Sequence, residues 1–249
     1  FALFIIKKKY KYEIYFIGIL FILVDTLIYI SGERTAFFFL NLSTVFIIIL
    51  IKEYQKLRLL TFIIAITFIF VLSTYSNKLS NRMFKMPAEN MGIINNSETK
   101  GKIYIFSEIH DGYIKTALKM FNDRPIFGHG PKMFRLKCSN PNYSTGKYPC
   151  DNHPHNFYVQ LLAETGVIGF LFLISGFFYV LYASMRQLKS IIFRKSRYLS
   201  DYQVCLLASM LITLWPFSPN GNFFNNWLMI TYSFPIGFYL QSIYSKKKL

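Results

Sequence analysis

The chain has 249 residues, of which 53% are hydrophobic and 19% aromatic, and its mean hydropathy is +0.32. This apolar content is typical of a membrane protein and disfavours a soluble domain. The net charge of +16, from 28 Lys and Arg against 12 Asp and Glu, could indicate nucleic-acid binding. Basic cytoplasmic loops explain it equally well, and we expect a lipid bilayer, not nucleic acid, as the partner.

Apolar runs predict six transmembrane helices. They follow an N-terminal run, FALFII, which we interpret as the end of a truncated span because it lacks the charged start and cleavage site of a signal peptide. The six spans are predicted at roughly 14–31, 35–51, 59–75, 157–183, 203–217 and 226–243. We therefore expect an all-α integral membrane protein, a fragment without its N-terminal spans. Transmembrane segments occupy residues 1–75 and 156–249, and a large loop with short helices occupies 76–155.

Basic residues predict the orientation of these spans. They cluster in alternate loops, near 7–11, 52–58, 186–197 and 246–248. Such loops are cytoplasmic by the positive-inside rule. The long loop at 76–155 is then extracytoplasmic, and segments of that length are translocated largely regardless of their charge.

The long loop contains a pair of cysteines and one amphipathic segment. Cys138 and Cys150 would meet an oxidising compartment, where a bridge closing about 13 residues would contribute roughly 3 kcal/mol. Two free thiols are the alternative. Residues 76–101 indicate loop with a short helix, whereas apolar residues at helical spacing predict an amphipathic helix over 107–122, which could lie on the membrane surface.

All four histidines fall in this loop: His110, His129, His153 and His155. Because membrane spans exclude histidine, the clustering alone is weak evidence for a site. His153 and His155, with His129 or Asp151, would be a possible zinc ligand set, although no HExxH motif accompanies them.

The fourth span begins with a polar segment. Asn152 is expected to cap it, with Pro154 in the first turn, so that His155 and Asn156 lie at the outer mouth of the span. Gln160 and Glu164 follow on one helical face. A glutamate at membrane depth is expected to face a cavity or a partner, and Asp25 in the first span raises the same expectation, but ordinary polar caps at the interface are an equal alternative for the fourth span.

Three arginines lie near predicted membrane boundaries or turns. Arg34, in SGERTA, stands at the outer end of a span, and Arg124 and Arg135 flank a Gly-Pro segment. Arginine binds phosphate bidentately, so these residues could form an anion site. Each is also compatible with a solvated surface charge.

Three segments together resemble the C-terminal core of the O-antigen ligase family. These are SGERTA at the end of a span, RPIFGHGPKMFR in the outer loop, and HPHNFYVQLLAETGVIG, in which HN opens the next span. The family includes O-antigen polymerases and related protein O-glycosyltransferases.

The resemblance implies an inverting glycosyltransferase of the bacterial inner membrane that needs no metal or other cofactor and whose catalytic loop faces the periplasm. The implied donor is a glycan on undecaprenyl pyrophosphate, and the acceptor in ligases is a sugar hydroxyl of lipid A-core. His155 matches the motif histidine, the expected general base, and Arg34 matches the arginine expected to hold the pyrophosphate.

Further residues match less specific positions of the family. Asn156 and Arg135 are expected to bind substrate, and Gly128 and Gly130 match structural loop glycines. Arg135 and the Cys138–Cys150 pair resemble features of one subgroup. His110 also fits a subgroup position, without a defined role, and no role is carried onto Arg124.

The sequence leaves other functions open. The acceptor could instead be a growing glycan or a protein. Interior charges such as Asp25 and Glu164 are compatible with a non-enzymatic transporter of the same lipid-linked glycan, although no internal repeat supports one. A zinc-dependent membrane hydrolase is the remaining alternative.

Overall fold

The computed structural model describes residues 12–94 and 102–246, and within them every regular element is helical. The predicted all-α class is therefore confirmed for the described part of the chain. The elements, in chain order, are α1 (Glu13–Ser31), α2 (Arg34–Leu50), α3 (Gln55–Tyr75), α4 (Asn77–Ser80), the π-helix π1 (Asn81–Lys85), α5 (Met86–Asn90), α6 (Glu108–Asp123), α7 (Phe134–Lys137), α8 (Phe157–Ile192), α9 (Asp201–Thr213) and α10 (Asn226–Lys246).

Three of the described helices are long and apolar enough to cross a membrane. They are α1, α3 and α8, of 19, 21 and 36 residues, whereas the apolar α2 and α9 have only 17 and 13. A helix coincides with each of the six predicted spans, and the FALFII run lies outside the described residues. The count of six spans and the orientation of the loop stay predictions.

The described chain forms two compact units. The first contains the described parts of Phe1–Met83, Tyr179–Thr213 and Phe234–Leu249. Its apolar core around the α1–α2 turn is formed by Tyr29, Ile69 and Met83, with Phe37 and Leu79 packed against it.

A pair of polar side chains, of which Asp25 is buried, also joins the first two helices of this unit. Asn41 on α2 donates a 3.0 Å hydrogen bond to the buried Asp25 carboxylate on α1. One oxygen of Asp25, Oδ1, thus has the partner expected at this depth, whereas its Oδ2 is buried without a hydrogen bond from the described residues.

The second unit contains Phe84–Phe178 and Leu214–Ser233. Its core joins α6, α7 and α8 and consists of Tyr113, Ala117, Met120, Phe134, Cys138 and Ala163. The amphipathic helix predicted over 107–122 is confirmed as α6, whose first turn is capped by the Ser107 hydroxyl accepting from the His110 backbone N–H.

Two local predictions were wrong. In the stretch 76–101, predicted as loop with a short helix, α4, π1 and α5 follow one another without a break from 77 to 90, and residues 95–101 lie outside the described part. Asn152 does not cap α8, which starts at Phe157 after Asn156. The reason is that His155 adopts a left-handed φ of +55°, which interrupts any helical path from Pro154.

Candidate functional site

Three of the four histidines of the second unit lie together in front of α8. We call His110, His153 and His155 the histidine cluster. The ring centroids of His153 and His155 are 4.1 Å apart, and those of His110 and His155 are 5.4 Å apart. The Tyr113 ring stacks on His155 at 5.7 Å. Residues far apart in sequence thus surround one imidazole, that of His155.

Asp151 orients that imidazole. The Nε2 atom of His155 lies 2.9 Å from Oδ2 of Asp151, so a neutral His155 donates its Nε2–H to the carboxylate and leaves Nδ1 as an acceptor. Burial would raise the pKa of Asp151, but hydrogen bonds from His155 and from the Asn152 backbone N–H hold it below its ordinary value. Asp151 is therefore ionised at neutral pH. From the sequence, Asp151 was considered only as a zinc ligand, although its position four residues before His155 could have indicated the pair.

The two flanking histidines are held in the neutral form. Burial lowers the pKa of His110, and the nearby His155 lowers it further, against the opposing Asp151 charge. The pKa of His153 is lowered by the same two effects. The Ser107 hydroxyl lies 2.7 Å from Nδ1 of His110, and the Asn220 carbonyl lies 3.2 Å from Nε2 of His153.

The backbone beneath His155 is fixed from both sides. Its carbonyl accepts a 2.9 Å hydrogen bond from the Asn220 N–H. The next residue, Asn156, is buried and caps α8, since its Oδ1 accepts from the N–H groups of Tyr158 and Val159 at 3.1 and 3.2 Å. Its Nδ2 donates to the Pro216 carbonyl at 2.9 Å. The side-chain amide of Asn156 is thus engaged within the protein.

The Gly-Pro segment, residues 125–134, packs against a break in α8. Gly166 leaves helical geometry at φ 67° and ψ −163°, which frees backbone groups of the preceding turn. The His129 and Gly130 N–H groups donate to the carbonyls of Ala163 and Glu164 at 3.0 and 2.8 Å. At Gly128, φ is +66° and a Cβ atom would lie 2.5 Å from the Thr165 nitrogen. Gly128 therefore permits a backbone contact that no side chain would allow.

Two buried polar side chains, those of Gln160 and Glu164, lie on α8. Glu164 accepts hydrogen bonds from the Phe134 N–H at 2.8 Å and from Gln160 Nε2 at 2.9 Å. Gln160 Nε2 also donates to Asn222, and its Oε1 accepts from the Phe223 N–H. These internal bonds account for a glutamate and a glutamine at this depth.

His129 lies apart from the histidine cluster. It is buried, with Nε2 2.9 Å from the Met120 carbonyl and Nδ1 3.0 Å from Lys137 Nζ. Burial lowers its pKa, and the positive charges of Lys137 and Arg124 act in the same direction against the Met120 hydrogen bond. Within residues 12–94 and 102–246, no group of three His, Cys, Asp or Glu side chains could hold a metal ion. The zinc ligand set considered from the sequence is not assembled.

The remaining predicted residues lie elsewhere. Arg135 is exposed on α7, and Cys138, at the end of α7, forms a disulfide with Cys150, directly before Asp151. Gly130 adopts φ +104° in the Gly-Pro segment. Arg34 is exposed at the start of α2 and belongs to the first unit, so the second unit contains His155, Asn156 and Arg135 without it.

A comparison of the sequence with known families finds one match. The sequence model of the O-antigen ligase family matches residues 18–174, more than half of the chain, and this region contains Arg34, the Gly-Pro segment and the histidine cluster. No curated protein matches the chain, and no solved structure matches it. Ligase- and polymerase-type membrane glycosyltransferases of lipopolysaccharide biosynthesis, which use lipid-linked glycans, form this family. The chain therefore belongs to the O-antigen ligase family, as its three motifs predicted.

Proposed function

We propose that this protein transfers a glycan from undecaprenyl pyrophosphate to an acceptor hydroxyl, with His155 as the general base. The observation that carries the proposal is the pairing of His155 Nε2 with the ionised Asp151, which leaves Nδ1 available in a side chain that is 29% exposed. Such a partly accessible imidazole, with one nitrogen held by a carboxylate and the other free to accept, suits proton abstraction from a hydroxyl.

The proposed reaction needs one proton transfer, from the acceptor hydroxyl to His155. Nδ1 of His155 takes the proton of the acceptor hydroxyl while that oxygen attacks the anomeric carbon of the donor sugar. The bond from this carbon to the pyrophosphate oxygen breaks, and the pyrophosphate leaves with the electron pair. Because the hydroxyl oxygen attacks from the opposite face, the configuration at the anomeric carbon is inverted. Asp151 faces the resulting imidazolium, whereas the flanking histidines stay neutral and add no repulsion.

Arginine supplies the charge that the leaving group needs in this proposal. Arg34 holds the pyrophosphate, and Arg135 adds positive charge from its exposed position on α7. Asn156 contributes to substrate binding indirectly, since it fixes the helix start beside His155. No metal is required for this route, so transfer is expected to persist in the presence of EDTA.

The reaction takes place at the periplasmic face of the bacterial inner membrane, where both lipid-borne substrates are found. Lipid A-core is the proposed acceptor because the matching family is described as O-antigen ligase. Parallel reactions with lipid A-core, with a second lipid-linked glycan and with a protein acceptor separate ligase, polymerase and protein O-glycosyltransferase activity.

The decisive experiment compares His155→Ala with Asn152→Ala in proteoliposomes that contain a defined lipid-linked donor. Asn152 is an exposed residue of the same segment and serves as the matched control. We expect His155→Ala to reduce glycan transfer by about 10²- to 10⁴-fold, the usual contribution of a general base, with unchanged expression. Full transfer by His155→Ala would refute the assignment.

A further inference from the structure

The carboxylate of Asp25 lies inside the first unit with one oxygen unpaired. Asp25 is 0% exposed on α1, and its Oδ1 accepts the 3.0 Å hydrogen bond from Asn41 Nδ2. Its Oδ2 is buried without a hydrogen bond, and no ion pair within 4.0 Å among the described residues includes Asp25. An ionised carboxylate at this depth is costly unless a positive group faces it.

Two further oxygens beside Asp25 are unpaired. Asn41 donates through Nδ2 to Asp25 and to the Phe37 carbonyl, but the Oδ1 atom of the same amide is buried without a partner. Thr26, the next residue of α1, is 7% exposed, and its Oγ1 is also buried and unpaired. Within the described part of the first unit, the buried side-chain oxygens and nitrogens that lack a hydrogen bond are these three. The unmet hydrogen-bonding capacity of this unit is therefore concentrated around one carboxylate.

The Thr26 hydroxyl does not use the partner that a helix offers it. A threonine inside a helix commonly donates to the carbonyl four residues before it. Thr44 and Thr61 do so, at 2.7 and 2.9 Å from the carbonyls of Leu40 and Leu57. Thr26 makes no such bond to the described residues, so its oxygen is available to a ligand.

The chemistry of these three atoms selects a cation. The oxygens of an ionised carboxylate and of an amide are acceptors that cannot donate, and a hydroxyl oxygen accepts as well. Hard cations take such oxygen ligands. A monovalent ion neutralises the single carboxylate, whereas a divalent ion would leave a net positive charge in an apolar environment. The close approach of the Asp25 and Asn41 side chains favours Na⁺ over the larger K⁺.

We propose that Asp25, Thr26 and Asn41 form a Na⁺ site between α1 and α2. Oδ2 of Asp25 supplies the negative charge, and Oγ1 of Thr26 and Oδ1 of Asn41 supply neutral ligand oxygens. The ion ties α1 to α2 about two helical turns from Arg34, which begins α2. This site goes beyond the proposed glycan transfer and is tested by binding alone.

Sodium binding is measured as stabilisation of the purified full chain. NaCl is exchanged for choline chloride at constant ionic strength, and the thermal midpoint is recorded. We expect the midpoint of the wild type to rise with Na⁺ concentration and to saturate, with a smaller effect of KCl. Asp25→Asn keeps the shape of the side chain and removes its charge, so it is expected to abolish this rise.

A second pair of variants tests the neutral ligand. Thr26→Val keeps the branched shape and is expected to weaken the apparent Na⁺ affinity about 10-fold. Thr61→Val is the matched control, because its hydroxyl is bonded to the Leu57 carbonyl, and it should leave the affinity unchanged. If Asp25→Asn does not fold, the wild-type titration and Thr26→Val still decide the proposal.

The alternatives give different results. If Asp25 binds a proton and no cation, the wild-type midpoint is the same in NaCl and in choline chloride, and the site is refuted. If the Thr26 hydroxyl is only an unpaired buried group, Thr26→Val raises the midpoint equally at every Na⁺ concentration, and Thr26 is not a ligand. A Na⁺-dependent rise that Asp25→Asn retains would locate the ion elsewhere and overturn the proposal. Equal stabilisation by KCl would contradict a Na⁺ site.

Discussion

Replacing Asp151 by asparagine tests the geometry around His155 most directly. The substitution keeps the size of the side chain and a hydrogen-bonding group but removes the negative charge 2.9 Å from His155 Nε2. If His155 accepts a proton in the transition state, its imidazolium then loses the charge that stabilises it. The expected result is slower transfer without loss of folding.

The expected decrease in kcat/KM follows from the distance between His155 and Asp151 and from the exposure of their side chains. At 2.9 Å, two unit charges interact by about 1.4 kcal/mol at a dielectric constant near 80 and by about 6 kcal/mol near 20. Because the His155 and Asp151 side chains are 29% and 36% exposed, water screens the pair and the lower part of this range applies. A loss of about 1.5–3 kcal/mol corresponds to a decrease in kcat/KM of about 10- to 150-fold.

The assay measures kcat/KM for glycan transfer in proteoliposomes, together with the thermal midpoint of each purified variant. Asp111→Asn is the matched control, because it removes a carboxylate that is paired with Lys115 on α6 and not with His155. We expect the control to transfer glycan like the wild type. A kcat/KM for Asp151→Asn within twofold of the wild type would show that the carboxylate does not assist His155.

Three further predictions concern the stability of the second unit. Gly128→Ala should lower the free energy of unfolding by about 1–3 kcal/mol more than Gly146→Ala, measured by thermal unfolding. Both glycines have positive φ, but a Cβ atom overlaps backbone only at Gly128 and has nothing within 4 Å at Gly146, so equal losses would contradict the close contact. Serine at both Cys138 and Cys150 should cost about 2–4 kcal/mol, and dithiothreitol should lower the thermal midpoint of the wild type but not of the double variant. The flanking histidines have lowered pKa values, so the unfolded chain binds more protons below about pH 6.5 and stability should fall as the pH drops from 7 to 5. Thermal unfolding across this range checks the trend, and replacement of both flanking histidines by glutamine should weaken it, while the lowered pKa of His129 maintains the remainder.

Local patterns were sufficient for the long apolar helices, for α6 and for the family, but not for the helical stretch at 77–90. Apolar runs and helical spacing are properties of neighbouring residues, so they located α6 and a helix at each predicted span, although α8 continues to Ile192 and not only to 183. They were not sufficient for the start of α8. Asn152 and Asn156 are both plausible caps by residue type, and the left-handed φ of His155 decides between them.

For the candidate site as well, the sequence identified individual residues but not their contacts. Motif residues and their order along the chain identified His155, Arg34 and the loop glycines as candidate site residues, because each motif is a short stretch of consecutive residues. The sequence alone thus determined an apolar helical chain of the O-antigen ligase family with a polar, histidine-containing segment before one helix.

Only the tertiary structure decided which side chains meet. It brings Asp151 and Tyr113 to His155, packs Gly128 on the break in α8, and lays Arg82 on the α1–α2 turn. Apart from the Asp151–His155 pair, which lies four residues apart, these contacts join segments whose separation along the chain carries no periodic signal. They depend on turns with positive φ and on buried anchors such as Met83, whose effect appears only when the helices have packed.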